Sequence, residues 1–163
     1  MNSVITDKAQ LQSRRVDVES RSMRDNLIFY SIQEQQNENC DTVIKMFCNE
    51  KLHIEATNIT LDRAHRMGPD SSKKPRPLVA KLHYYHERER IRNQGYEHRD
   101  TLRLTNQGVG IQRPKAVRDA RKALYPIMQR ERAKGNQVRL TNDQLYINGS
   151  RYRGPEPEPL TST

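Results

Sequence analysis

Short stretches of this chain alternate apolar and polar residues at the period of a strand, and longer stretches repeat them at the period of a helix. "NLIFYSI" (26 to 32) is the clearest strand, rich in β-branched and aromatic residues. A polar connector follows, with Asn39 or Asp41 as the helix N-cap. "TVIKMFCNEKL" then sets Val43, Ile44, Phe47 and Cys48 on one helical face. Strand spacing returns over 58 to 66, and "MGPDSSKKPRP" reads as a loop rich in Pro, Gly and Ser. "LVAKLHY" (78 to 84) resumes a strand, and "HERERIRNQGY" a charged helix anchored by Ile91 with Tyr85 and Tyr96. "TLRLTNQGVGIQ" reads as a strand, an Asn-Gln-Gly turn and another strand.

Strand, helix, strand, strand, helix, strand is the order of a split βαβ unit. An α+β fold is therefore expected, with an RRM-like, ferredoxin-type sandwich over 26 to 112 and both helices on one face of the sheet. Upstream, residues 1 to 25 are mostly polar, with Val4, Leu11 and Val18 spaced by sevens. That is one seam of a heptad repeat, so this region reads as the end of a coiled coil, with "RRVDVE" able to pair charges between helices. Downstream, Pro114 opens a helix with Val117, Ala120, Leu124, Ile127 and Met128 on one face. Pro126 is expected to kink or divide it, and Gly135 to stop it. "QVRLTNDQLYING" reads as a hairpin around Thr-Asn-Asp, completing a small helix-plus-hairpin domain over 113 to 153. Residues 154 to 163 read as a disordered tail.

Composition narrows the chemistry. Only 33% of the 163 residues are apolar, 30% are charged and tryptophan is absent, so cores must be thin. No apolar run reaches the ~18 residues of a membrane span, and the N-terminus lacks a secretory h-region. A soluble intracellular protein is expected. Cys40 and Cys48 have no ligand-spaced partners, and His53, His83, His86 and His98 show no metal spacing, so neither metal nor cofactor is expected. No phosphate loop, nucleophile elbow or carboxylate pair appears, which argues against an enzyme or a small-molecule substrate.

Charge points elsewhere. Net charge is +9, and eleven Lys and Arg between 113 and 153 face only Asp119, Glu131 and Asp143. So concentrated a basic patch fits a polyanion. Single-strand binders combine cations for phosphates with flat groups for bases. Arg113, Lys115, Arg118, Arg121, Lys122 and Arg139 are the C-terminal candidates, and Lys73, Lys74 and Arg76 the loop candidates. Arg121→Ala is expected to weaken binding alone. Phe29 and Tyr30 must face opposite ways, and Tyr30, whose hydroxyl tolerates water, is assigned to the exposed side. In "RAHR" (63 to 66) alternation separates Arg63 and His65 from Ala64 and Arg66. The strand is expected to lose its pleat near Ala64. Arg63 would then line a groove or hold the junction with the C-terminal domain, with a cost to folding when replaced. Arg66 would reach phosphate, and His65 would support by hydrogen bonding.

The ordered set "VESRSMRDNLIFYSIQE", "RAHR", a basic Pro-rich loop, "PLVAKL" and "VRDARKALYP" resembles the first open-reading-frame protein of LINE-type retrotransposons over roughly 15 to 153. The resemblance implies a nucleic-acid chaperone that coats its transcript, binding single-stranded RNA and also single-stranded DNA. It implies a homotrimer through the coiled coil and a cytoplasmic ribonucleoprotein; "KKPRP" also reads as a nuclear-localisation run. The chain departs from the family in lacking aromatics on "LVAKL" and in carrying "LTNDQ" where a Tyr-Pro element often stands. The alternative is a protein-protein assembly module built on the coiled coil and the sheet, without nucleic-acid affinity.

Overall fold

The computed structural model describes residues 2–70 and 73–154. Two compact units separate: Ser22–Gln112, and a second combining residues 1–21 with those from Arg113 onward. The tail expected from 154 lies, apart from Gly154, outside the described residues.

In the first unit, β1 (Asn26–Tyr30), β2 (Leu61–Arg66), β3 (Leu78–Leu82) and β4 (Gly108–Ile111) form an antiparallel sheet in the order β2-β3-β1-β4. The helices α2 (Cys40–Leu52), α3 (Tyr85–Glu97) and α4 (Arg99–Arg103) complete it; α1, except its last residue Ser22, belongs to the second unit. Period-two alternation sends Leu27, Phe29, Leu78, Ala80 and Leu82 into one core with Ile44, Phe47, Cys48 and Leu52 of α2, Ile91 of α3 and Leu102 of α4. Phe47 meets Phe29 edge to face at 5.7 Å. Asn39 is the N-cap of α2, its side chain accepting from the Thr42 N–H at 3.2 Å.

Two local expectations change. Residues 101 to 103 belong to the helix Arg99–Arg103 and Leu104 caps it, so no strand forms there: Leu102 is buried while Leu104 is 85% exposed. The Thr-Leu-Arg-Leu alternation is therefore coincidental. Tyr85 and Tyr96 are exposed and do not anchor α3; Tyr85 instead lies under the guanidinium groups of Arg24 (4.7 Å) and Arg88 (5.4 Å). What anchors α3, besides Ile91, is buried Glu87, which accepts from the Thr60 backbone N–H (2.9 Å) and hydroxyl (3.1 Å). Gly95 also matters: a Cβ there would stand 3.0 Å from Val109 Cβ, so helix and β4 approach more closely than a larger residue allows.

The second unit contains α1 (Asn2–Ser22), α5 (Lys115–Ala133) and a three-stranded sheet of β5 (Val138–Thr141), β6 (Gln144–Ile147) and β7 (Ser150–Arg151). Along α1, Val4, Leu11 and Val18 are 64–70% exposed, and Arg15 pairs with Glu19 one turn on at 3.1 Å. The helix α5 continues through Pro126 as one element rather than dividing. It buries Val117, Leu124, Ile127 and Met128, the last three packing with Leu145. Its end follows the expected stop: Gly135 adopts φ +86°, its N–H reaching Arg132 O at 2.9 Å and that of Asn136 reaching Glu131 O at 3.0 Å. The expected hairpin gains a third strand, because Asn148-Gly149, both at positive φ, turn the chain back onto β6.

Polar ties at the base of the β2–β3 loop correct the reading of "RAHR". The register shift in β2 falls between Leu61 and Arg63, and the pleat then holds through Ala64 to Arg66. Arg66 consequently turns to the helix-covered side, its side chain only 4% exposed. Nε donates to Glu38 Oε1 (2.6 Å), one terminal nitrogen to Ile32 O (2.8 Å) and Arg76 O (2.7 Å), and the other to Gln33 O (3.1 Å) and Glu38 Oε2 (3.0 Å). All five guanidinium donors are thereby used. Arg66→Leu is expected to cost about 3–5 kcal/mol in urea unfolding, because Glu38 and three carbonyls lose their donor. A loss under about 1 kcal/mol would contradict this role. The Arg66 hydrogen bonds also hold the Glu38 carboxyl below its ordinary 4.5. The unfolded chain therefore takes up this proton first as pH falls. The stabilisation is present above 4.5 and is lost as pH drops through the lowered folded value. Glu38→Gln should flatten that acid limb of the stability curve.

Candidate nucleic-acid interface

On α5 the apolar stripe faces the small sheet, and the opposite side is cationic. Arg118, Lys122, Gln129 and Arg132 are exposed at helical spacing, with Tyr125 among them at 46% exposure. Lys115 opens the same side but is paired with Asp119 at 2.8 Å. That hydrogen bond, with the nearby charges of Lys115, Arg118 and Lys122, holds the Asp119 carboxyl below its usual range. The sequence reading missed Tyr125, although its spacing from Arg118 and Lys122 was legible. Such a face offers cations to consecutive phosphates and a ring to a base.

Arg121 makes a contact within the fold that its expected role did not include. Its guanidinium donates to Asn142 O at 2.7 Å, tying α5 to the β5–β6 turn. Arg139 points away from Val138 and Leu140 as expected, its guanidinium 5.3 Å from the Tyr146 ring. Arg113, half-buried just before α5, is engaged within the fold.

In the first unit the sheet face opposite the helices carries the other group. Phe29 is fully buried and Tyr30 is 42% exposed. The Tyr30 ring lies over Gly110, where a Cβ would come within 3.2 Å of Cε2. Arg63 and His65 are exposed and help to line a hollow of about 270 Å³ with Lys81 and Val79. The register pairs Arg63 with Lys81 and His65 with Val79, so their side chains share that face. Lys81 is a second residue the sequence reading passed over; alternation within "LVAKL" sets it opposite Ala80 and Leu82. The Arg63 side chain makes no hydrogen bond or ion pair among the described residues.

The remaining loop candidates are less available. Arg66 is consumed inside the fold, as described above. Arg76 donates to Glu34 from Nε at 3.0 Å and from a terminal nitrogen, and to Gly68 O at 2.9 Å. The pairing lowers the Glu34 carboxyl, so Arg76 is a strut of its own loop. Lys73 and Lys74 border a hollow that also contains Glu34 and Asp70, which oppose their charge. Burial pushes the Cys48 thiol up to about 12, far from a reactive thiolate. Among the described residues no group of His, Cys, Asp and Glu is placed to hold a metal, and no helix is long and apolar enough to cross a membrane.

No family model matches the chain, and no curated protein matches its sequence. The geometry itself makes a separable prediction. Arg118→Ala with Lys122→Ala should weaken single-strand binding and make the slope of log K against log salt shallower by about 1.4, with the melting temperature unchanged. Arg121→Ala should weaken binding and also lower the melting temperature. Fluorescence anisotropy and thermal unfolding of the same samples check both.

Proposed function

We propose that this chain binds single-stranded nucleic acid, RNA foremost, and acts as a chaperone that packages a LINE-type retrotransposon transcript into a ribonucleoprotein. The observation that carries the reading is the exposed side of α5, where Arg118, Lys122 and Arg132 share a face with Tyr125. Cations alone would suit any polyanion. An exposed ring among them favours a partner whose bases are unstacked. The resemblance in sequence order supplies the retrotransposon setting and the cytoplasmic ribonucleoprotein.

Two further parts belong to the same reading. The strand order β2-β3-β1-β4, with its helices on one face, is taken as an RRM-like sheet whose open side, carrying Tyr30, Arg63 and Lys81, adds to the interface. The exposed Val4, Leu11 and Val18 of α1 are taken as the seam of a homotrimeric coiled coil. That seam also favours the second reading, an assembly module without nucleic-acid affinity.

Titration with single-stranded RNA, single-stranded DNA and duplex DNA separates the readings. If six to ten phosphates are neutralised, affinity for the single strands should fall on the order of 10³- to 10⁵-fold between 50 and 200 mM salt. Duplex DNA should bind more weakly. Equal or tighter duplex binding, or a flat salt response, would overturn the single-strand reading, and an oligomer with no affinity would establish the assembly module.

A further inference from the structure

The helix side of the first unit holds a larger cleft than the open sheet face does, about 470 Å³ between α3, α4 and β4. Its walls carry Arg92, Arg99 and Arg103, with no Asp or Glu among the lining residues, and half-buried Val109 gives it an apolar side, with buried Leu102 behind. Tyr96 stands at this cleft 64% exposed. The Arg99 guanidinium sits 4.3 Å from the Tyr96 ring centroid and donates to the Tyr96 carbonyl at 3.1 Å, which holds Arg99 against one side of the ring.

The other two arginines are only loosely held. Arg103 lies 3.9 Å from Asp100, with side-chain exposures of 75% and 85%, and Arg92 lies 3.5 Å from Glu89. Exposed pairs at such distances contribute little and exchange readily for a better anion. The volume falls in the range of small-molecule sites, roughly 300–1,000 Å³. A ligand suited to this cleft is flat and apolar at one end and multiply anionic at the other. We propose that the cleft is a nucleotide site, with the base against Tyr96 and the apolar wall, and the phosphates on Arg92 and Arg103. The chemistry fits a free nucleoside polyphosphate or one unit of a bound strand. It belongs to the first unit, whereas α5 belongs to the second.

The test is NMR titration of the full chain with ATP, following the Gly95, Gly108 and Val109 amides, with tripolyphosphate in parallel. ATP should shift these amides saturably and tripolyphosphate should bind more weakly. Tyr96→Ala should weaken ATP about tenfold, the scale of one lost stacking contact. Arg92→Gln with Arg103→Gln should weaken ATP and tripolyphosphate together; all three side chains are exposed, and circular dichroism checks that the fold is kept. Displacement of ATP by a single-stranded RNA decamer assigns the cleft to a strand unit, and its retention assigns a free nucleotide; either supports the site. Tripolyphosphate matching ATP, or ATP leaving these amides unmoved, would overturn it. If a decamer binds while ATP leaves the cleft unmoved, only this inference fails; if ATP binds while no oligonucleotide does, the strand-binding reading fails instead.

Discussion

A guanidinium withdrawn from water must find an acceptor for each of its five N–H groups, and Arg66 meets that demand by joining three segments distant in sequence. Glu38 and the carbonyls of Ile32 and Gln33 come from the β1–α2 connector, and the Arg76 carbonyl from the end of the β2–β3 loop. Arg76 then extends the tie to Glu34 and Gly68. Two polar loops, the first also anchored by buried Ile32, are thereby fixed at one end of the sheet. The position of Arg66 within the pleat also decides which face its neighbours occupy.

From that constraint follows a division of labour among the cations. A strand has a period of two, so with Arg66 on the helix side, Arg63 and His65 fall on the open face, where Lys81 and Tyr30 also lie. Structural arginines are spent on carboxylates and carbonyls; those left exposed set the protein's field. The same division recurs in the second unit, where Arg121 holds a turn while Arg118 and Lys122 remain outward. Net charge therefore overstates the cations available to a polyanion, and what matters is which of them the fold leaves exposed.

Much of this was legible in the chain. The β1 run, the Asn39 cap, the apolar face of α5 and the Gly135 stop all follow from residue spacing and turn chemistry. The opposed facing of Phe29 and Tyr30 was legible for the same reason. Other features were decided by tertiary contacts that spacing does not encode. Leu102 reaches the core from a short helix although its surroundings alternate like a strand. Arg66 and Arg76 look like loop-root phosphate ligands until Glu38 and Glu34 are seen to meet them across 28 and 42 residues of sequence. Lys81 and Tyr125 were missed differently: each sits at a readable position, but attention to charge clusters passed over an isolated lysine and a tyrosine next to a proline.

The account rests most heavily on the claim that exposed rings beside unspent cations meet unpaired bases. Photo-crosslinking to single-stranded RNA carrying 4-thiouridine, mapped by mass spectrometry on the full chain, reads that contact directly. The account predicts adducts at Tyr125 and at Tyr30 or its strand neighbours, with none at the buried Arg66. Adducts confined to α1, or an RNA bound without any adduct along α5, would contradict it.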